Sequence, residues 1–148
     1  MISIIKLLVT GGLGFIGSNF ISRILENQKE WSVVNVDAEL YGSNHQSLKK
    51  FENNLKYSFV KGNITDQKLM KKLILESDVV VNFAAESHVD GSILDAKPFI
   101  DSNILGVFTL LEIIKKMKKK MIHISTDEVY GSFDSGSAKE ETRLNPSS

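Results

Sequence analysis

Short apolar runs alternate along the chain with longer segments whose apolar residues recur every three or four positions. The apolar runs predict strands at residues 4–9, 32–36, 56–61, 78–84 and 121–125. The periodic segments predict helix A at residues 14–27, a short helical piece at 46–51, helix C after Asp66 and helix D from about Pro98. Strands separated by helices indicate an α/β fold with a doubly wound parallel sheet, and right-handed crossovers give the expected strand order 3-2-1-4-5.

The apolar stripe of each longer helix predicts the face that packs against the sheet. Asp66 is expected to cap helix C, and Pro98 suits the first turn of helix D. Residues 86–96 and 132–148 are mainly polar and predict loops. The predicted stripes are Ile16, Phe20, Ile21, Ile24 and Leu25 in helix A, Leu69, Met70, Leu73 and Ile74 in helix C, and Ile100, Ile104, Val107, Leu111 and Ile114 in helix D.

Composition narrows the classes of protein that this pattern allows. The chain of 148 residues is 42% hydrophobic and 24% charged, which is typical of a globular domain with its own core. Basic and acidic residues both number 18, so no basic excess indicates nucleic acid, and the lysines that end helix D suit the negative pole of its dipole. Without cysteine or closely spaced histidines, the sequence predicts no disulfide framework and no metal site.

No leader or membrane anchor is expected from the sequence. The first residues lack a basic region, and no apolar run approaches the roughly 20 residues that span a bilayer. The cytoplasm is therefore the default location, and no membrane partner is expected.

A glycine-rich turn between the first strand and helix A carries the clearest functional signal. Gly12, Gly14 and Gly17 fit the G-x-G-x-x-G pattern, and Gly11 adds a second frame, G-x-x-G-x-x-G. Glycine lets the backbone approach a pyrophosphate, whose charge the N–H groups at the helix start would hold. Asp37 ends the second strand 20 positions after Gly17, near the usual spacing for the acid that binds an adenosine ribose.

An ordinary turn beside a surface aspartate would show the same residues, but the strand–turn–helix context favours a dinucleotide site. Asp37 would repel a 2′-phosphate, and Ala38 and Glu39 supply no positive charge to hold one. The sequence therefore predicts NAD rather than NADP as the cofactor.

Polar loops after the fourth and fifth strands would meet the glycine-rich turn at the edge where the strands end. In the second of these loops, Thr126, Asp127 and Glu128 are adjacent. Two neighbouring acids in a loop are often only solvated surface. At an edge where a cofactor binds, the same pair could serve as general acid and general base, one protonating a leaving hydroxyl while the other deprotonates the neighbouring carbon.

Six stretches of the chain resemble the N-terminal part of the dTDP-glucose 4,6-dehydratases, which are extended short-chain dehydrogenases/reductases of nucleotide-sugar metabolism. The stretches are residues 10–18 (TGGLGFIGS), 35–37 (NVD), 62–66 (GNITD), 82–90 (NFAAESHVD), 103–106 (NILG) and 125–131 (STDEVYG). Residues 86–90 and 126–128 are more specific to this family than the glycine motif. The resemblance implies a Rossmann-like, NAD-binding domain over residues 1–148, truncated and without its substrate domain.

The resemblance also implies roles for individual residues. NAD would contact Gly11, Gly14, Phe15, Ile16, Gly17, Asp37, Asn63, Ile64, Ala84, Ala85, Ser87 and Ser102. Ser87 and Thr126 would touch the sugar, Asp127 would be the acid for the C6 hydroxyl, and Glu128 would be the base at C5. The implied reaction oxidises C4, eliminates water across C5–C6 and returns the hydride to C6, which converts dTDP-glucose to dTDP-4-keto-6-deoxyglucose.

Three positions depart from the family pattern. Asn63 stands where the family usually has aspartate beside the adenine, and its amide oxygen can still accept a hydrogen bond from the adenine amine. Gly91 stands where an arginine commonly follows Val-Asp. The Tyr-x-x-x-Lys pair that removes the C4 hydroxyl proton does not occur in residues 1–148, so the chain alone is expected to be inactive.

Two other functions stay open on the sequence. One is NAD-dependent epimerisation or decarboxylation of a UDP-sugar, which needs the same cofactor turn but no acid pair. The other is a non-catalytic NAD-binding fragment, which the missing Tyr-x-x-x-Lys motivates. The resemblance further implies a homodimer in which helix D joins a bundle, although the sheet also needs that apolar stripe.

Overall fold

Five parallel strands form the sheet in the computed structural model, which describes residues 4–133 and 135–147. The strands are β1 (Ile5–Thr10), β2 (Trp31–Asp37), β3 (Tyr57–Lys61), β4 (Val79–Asn82) and β5 (Lys120–His123). Their order is β3-β2-β1-β4-β5 with every neighbouring pair parallel, which confirms the predicted doubly wound topology. Residues 1–3, on which the expectation of no leader partly rests, and Asp134 and Ser148 of the predicted C-terminal loop lie outside the described residues.

Helices connect the strands and cover both faces of the sheet. They are α1 (Phe15–Asn27), a first 3₁₀ helix (His45–Phe51), α2 (Gln67–Leu75), α3 (Val89–Leu94), α4 (Lys97–Phe99), a π-helical segment (Ile100–Gly106), α5 (Val107–Met117) and a second 3₁₀ helix (Asp127–Tyr130). Asp66 caps α2 as predicted, because its side chain accepts a hydrogen bond from the Leu69 N–H at 3.0 Å. Among the described residues, no helix is both long and apolar enough to cross a membrane.

Two apolar clusters, one on each face of the sheet, form the core. Ile21 of α1 packs on the first face with Leu7, and Met70 of α2 packs on the second face with Leu8 and Leu110. The neighbours Leu7 and Leu8 belong to different clusters, as expected for a central strand covered on both faces. Since β1 lies between β2 and β4, its carboxyl end is the centre of the edge where the loops meet.

The region predicted as one helix D is divided in the structure. Pro98 lies in the one-turn α4 as a first-turn residue, the π-helical segment follows, and only α5 continues as a regular α-helix. The predicted loop at residues 86–96 contains a further short helix, α3, which its mainly polar sequence did not reveal. The described part of residues 132–148 has no helix or strand, as predicted.

The predicted apolar stripe of helix D is wrong except at Ile114. The helix α5 buries Leu110 and Ile113 together with Ile114. Apolar side chains lie on most sides of this helix, so their spacing did not select one face, and the π-helical segment shifts the phase of the earlier positions. The other predicted positions, Ile100, Ile104, Val107 and Leu111, are exposed or half-buried.

One position of the predicted stripe in helix A is also wrong. Ile16 is 61% exposed, whereas Ile21 is buried and Phe20 packs against the same core cluster. Ile16 belongs to the first turn of α1, next to Phe15, which is even more exposed. This turn therefore contributes little to the core and is available at the edge of the sheet.

Candidate functional site

The turn between β1 and α1 leaves no room for side chains at Gly11 and Gly17, and a Cβ on Gly12 would lie 2.1 Å from the buried Asn35 Oδ1. Gly11 has a φ of +71°, and a Cβ there would lie 2.5 Å from the backbone nitrogen of Ala84 after β4. A Cβ on Gly17 would lie 2.4 Å from the Gly11 carbonyl oxygen. Glycine is therefore required at Gly11 by backbone angle and by the approach of the β4 loop, and at Gly17 by the packing of the helix on its own turn.

The first turn of α1 presents backbone N–H groups at this edge. These groups have no carbonyl one turn earlier within the helix to bind, and Gly14, the residue before the helix, offers no capping side chain. The first turn contains no acidic residue, and Phe15 is 85% exposed. An accessible helix start with free donors and the positive end of the dipole suits a phosphate group.

Asp37, at the end of β2, is only 6% exposed and holds two loops together. Its Oδ2 accepts a hydrogen bond from the Leu13 N–H of the glycine-rich turn at 2.9 Å. Its Oδ1 accepts from the Glu39 N–H at 2.8 Å and from the Ser43 hydroxyl at 2.7 Å. A carboxylate oxygen can accept two hydrogen bonds, so Oδ2 retains capacity for a ribose hydroxyl.

Two basic side chains that the sequence did not reveal contact Glu39, two residues after Asp37. Lys61 forms a salt bridge with Glu39, and His45 Nε2 lies 2.5 Å from the Glu39 Oε1. The hydrogen bond from Lys61, followed by that from His45, holds the pKa of the Glu39 carboxyl below its ordinary value. The Cα of Lys61 pairs with that of Asp37 in the β2–β3 register, a neighbourhood that the predicted parallel strands could have indicated.

Asn63 and Ile64, the predicted adenine contacts, follow β3 and are held in different ways. The Asn63 amide oxygen accepts from the Thr65 N–H at 3.0 Å and from the Thr65 hydroxyl at 2.9 Å. Both lone pairs of this oxygen are thus in use, which leaves the amide NH₂ as the better group for a purine ring nitrogen. The Ile64 side chain is buried at 4% exposure, so only its backbone could face a nucleotide.

The loop after β4 is fixed by one side chain of the π-helical segment. Asn103 accepts a hydrogen bond from the Glu86 N–H at 2.9 Å and donates to the Glu86 carbonyl at 2.8 Å. The clamp lies between Ala85 and Ser87, two of the predicted contacts, and both are exposed. Ser102, another predicted contact, precedes Asn103 and is half-buried. The π-helical segment therefore sets the path of this loop, in keeping with the frequent placement of π-helical turns at functional sites.

The loops after β2 and β4 also meet directly. The Tyr41 and His88 rings lie edge-to-face with centroids 5.9 Å apart and planes at 89°. Together with the Leu13–Asp37 hydrogen bond and the close approach of Gly11 to Ala84, this contact joins three loops. The predicted approach of the β4 loop to the glycine-rich turn is confirmed, and the loop after β2 joins them.

The second 3₁₀ helix carries the predicted acid pair directly after β5. Thr126 precedes it and accepts a hydrogen bond from the Glu128 N–H at 3.2 Å, while its hydroxyl lies 3.4 Å from the Asp127 Oδ1. Thr126, Asp127 and Glu128 are all exposed. The C-terminal loop packs behind this turn, since the Asn145 N–H donates to the Val129 carbonyl at 3.0 Å. The turn is thus ordered by its own contacts, and its acids are accessible.

A row of polar side chains crosses the sheet beneath this edge. The Thr10 hydroxyl donates to the Asn82 Oδ1, and the Asn82 amide donates to His123 Nδ1 at 3.0 Å. Thr10 and Asn82 are buried, and the three residues link the ends of β1, β4 and β5. His123 is therefore hydrogen-bonded within the sheet, as expected for a structural histidine. Within the described residues, no three His, Asp or Glu side chains are grouped to hold a metal ion.

A doubly wound sheet whose central strand leads into a glycine-rich turn and an open helix start, with a buried carboxylate ending the next strand, defines a Rossmann-type domain. Sequence comparison then specifies the family. The chain belongs to the GDP-mannose 4,6 dehydratase family, whose model matches residues 8–148.

Individual relatives agree with this family. The dTDP-glucose 4,6-dehydratase of Mycobacterium tuberculosis is 43% identical over 146 residues, a match to 97% of this chain and 44% of that protein. The crystal structure of dTDP-glucose 4,6-dehydratase from Streptomyces venezuelae, which contains NAD, superposes with a TM-score of 0.91 at 40% identity over 96% of this chain and 46% of that one. A UDP-glucose 4-epimerase from Thermotoga maritima superposes with a TM-score of 0.81 at 28% identity, covering 96% and 45%. The chain thus spans less than half the length of these relatives.

Proposed function

We propose that this chain binds NAD along the edge formed by the glycine-rich turn and the loops after β2, β3 and β4. The pyrophosphate would lie on the first turn of α1, and a ribose hydroxyl would donate to the Asp37 Oδ2. Two observations support this fit: a Cβ on Gly17 would fill the turn, and Asp37 Oδ2 accepts only one hydrogen bond within the described contacts. NAD in the Streptomyces venezuelae relative supports the same assignment.

The other predicted contacts belong to these elements, to the first turn of α1 and to the π-helical segment. Asn63 and Ile64 would border the adenine, and the β4 loop with the π-helical segment would border the rest of the cofactor. Ser87 would contribute to both cofactor and sugar contacts. The remaining predicted contacts are Gly11, Gly14, Phe15, Ile16, Ala84, Ala85 and Ser102.

For the whole protein that contains this chain, the proposed activity is dehydration of a nucleotide sugar, with dTDP-glucose as the substrate that its relatives' names favour. NAD supplies a reversible hydride acceptor when bound. Asp127 would donate a proton to the departing C6 hydroxyl, and Glu128 would remove the C5 proton. A ketone at C4 makes that C5 proton acidic, so a carboxylate is a sufficient base. Thr126 would hold the sugar next to the two acids.

The observation that carries this proposal is the placement of an accessible, adjacent acid pair directly after β5, on the edge that also carries the glycine-rich turn. Substituting Glu128→Gln in the full-length protein should lower the rate of water elimination by about 10²- to 10⁴-fold, the usual contribution of a general base. Product formation from dTDP-glucose, followed by mass spectrometry as the loss of one water, measures this rate. Glu140→Gln, which removes another exposed acid, is the control and should leave it unchanged. Full activity of Glu128→Gln would contradict the assigned base.

A second candidate is epimerisation of a UDP-sugar, which the superposition on the Thermotoga maritima epimerase favours. A panel of dTDP-glucose, GDP-mannose and UDP-glucose separates the two reactions. A product that retains all its hydroxyls would establish the epimerase and leave Asp127 and Glu128 without the proposed roles. Binding of NAD with no turnover on any sugar would instead indicate a non-catalytic NAD-binding fragment.

A further inference from the structure

The loop after β2 contains a glutamate in an unusual backbone conformation. Glu39 has a φ of +57°, a region that residues other than glycine, asparagine and aspartate rarely adopt. Its N–H donates to the Asp37 Oδ1 at 2.8 Å, so this conformation fixes Glu39 beside the carboxylate proposed to bind the ribose. Backbone strain of this kind is concentrated at functional positions.

The side chain of Glu39 contacts two basic side chains, Lys61 and His45. Its carboxylate binds Lys61 through one oxygen and His45 through the other, and 26% of its side chain is exposed, against 70% for Lys61 and 55% for His45. Lys61 belongs to this edge through its register with Asp37. His45 is held further by the Phe59 ring, whose centroid lies 5.0 Å from that of the imidazole. The glutamate is thus the centre of a small charge cluster.

NADP differs from NAD by a negatively charged phosphate on the 2′-oxygen of the adenosine ribose, the group proposed to lie next to Asp37. Asp37 repels that phosphate, but Lys61 and His45 are the groups that could attract it and offset the repulsion. The carboxylate of Glu39 offsets the positive charge of Lys61. It is also a second carboxylate near Asp37. Selectivity would then depend on two acids and not on Asp37 alone.

We propose that Glu39 is a selectivity-determining residue that disfavours an adenosine 2′-phosphate by holding Lys61 in a salt bridge and His45 in a hydrogen bond at the ribose edge. The inference rests on the proposed dinucleotide site. It predicts that the ratio of the NADP to the NAD dissociation constant depends on Glu39 and, through it, on Lys61.

The test measures both dissociation constants by isothermal titration calorimetry on the full-length protein and its variants. Glu39→Asn removes the charge, and asparagine tolerates the positive φ, so no new backbone strain is introduced. The NADP/NAD ratio should fall about fivefold, the scale of one exposed ion pair. Lys61→Met alone should raise the NADP/NAD ratio. In the double variant, Glu39→Asn with Lys61→Met, the fivefold decrease should not occur. Thermal unfolding of each variant confirms that it is folded.

Glu26→Gln is the matched control. Glu26 also pairs with a lysine, Lys50, at 2.5 Å, but it lies near the C-terminal end of α1, away from the glycine-rich turn. Its substitution should leave the NADP/NAD ratio within about twofold of the value for the unsubstituted protein. An unchanged ratio in Glu39→Asn with normal NAD binding would overturn the role of Glu39 only. A fall that persists in the double variant would overturn the role of Lys61, and no NAD binding by the unsubstituted protein would overturn the proposed cofactor site and this inference with it.

Discussion

The loops at the ends of β2 and β5 share one edge of the sheet but are constructed in opposite ways. Asp37 is 6% exposed and accepts three hydrogen bonds, one of them from the glycine-rich turn. Asp127 and Glu128 are exposed, and Thr126, their immediate neighbour, supplies hydrogen bonds to their turn. The strands differ in the same way, since β2 lies between two others whereas β5 is an edge strand with Ile122 54% exposed.

This difference predicts that substitutions in the two loops have different effects on stability and on catalysis. On the β2 side, the groups proposed to bind the cofactor also connect one loop to another, so a substitution there should alter stability and binding together. On the β5 side, the acids contribute little to the core, so their substitution should alter turnover alone. Four measurements, ordered by expected size, test this contrast.

The largest effect is expected for Gly11→Ala. A Cβ would meet backbone atoms of Phe83 and Ala84 at 2.5–2.7 Å, and alanine is strained at φ +71°. Overpacking and left-handed strain together should lower the free energy of unfolding by about 3 kcal/mol and abolish NAD binding. Gly42→Ala is the matched control, because φ is +85° but no atom lies within 4 Å of its Cβ. The free energies of unfolding of the two variants, measured by urea denaturation, differ by the steric contribution at Gly11. Equal losses of stability in the two variants would refute that contribution.

The next effect compares the two acids directly. Asp37→Asn places an NH₂ group among three hydrogen-bond donors, which should cost about 1–3 kcal/mol of stability and weaken NAD binding. Asp127→Asn changes an exposed side chain and should stay within about 0.5 kcal/mol of the unsubstituted protein. The free energy of unfolding and the NAD dissociation constant, measured on both, test the contrast. A destabilisation by Asp127→Asn as large as that by Asp37→Asn would remove it.

The sequence predicted most of the framework because its signals were local. Strand–helix alternation gave the sheet order, and the spacing of Gly17 and Asp37 indicated that the glycine-rich turn meets the end of β2, where Leu13 and Asp37 are hydrogen-bonded. Asp66 was recognisable as a cap for the same reason. Each of these features depends on neighbours in sequence or on a topological rule with few exceptions.

Features that depend on long-range packing were missed. The buried face of α5 is decided by contact with α2 and by the π-helical segment, so spacing misassigned Ile104 and Leu111. The Glu39–Lys61 pair depends on strand register. The Asn103 clamp depends on a π-helical turn that no sequence pattern predicted. The sequence identified which residue types could act at the edge, but their partners came only from the fold.

A smaller effect is expected at the β4 loop, where the Asn103 clamp is exposed. Asn103→Asp keeps the acceptor for the Glu86 N–H but loses the donor to the Glu86 carbonyl. Since water can replace an exposed hydrogen bond, stability should fall by only about 1 kcal/mol. The NAD dissociation constant should rise several-fold, because Ala85 and Ser87 flank the clamp. The control is Asn27→Asp, which alters an amide that donates to the Arg23 carbonyl at the C-terminal end of α1 and should leave the NAD dissociation constant unchanged. Unchanged NAD affinity in Asn103→Asp would show that the loop holds its path without the clamp.

The smallest effect concerns pH and the exposed charge cluster around Glu39. Because Lys61 and His45 hold the pKa of this carboxyl below its ordinary value, the ionised form is favoured in the folded protein. Its stabilisation should be complete above the unfolded pKa of about 4.3 and should disappear as pH falls through the lower folded value. The thermal midpoints of the unsubstituted protein and Glu39→Gln should therefore differ slightly near neutral pH and converge in acid. About 1 M salt should also remove the difference, since exposed pairs are screened. A difference that stays constant as the pH falls would show that the glutamate does not act through its charge.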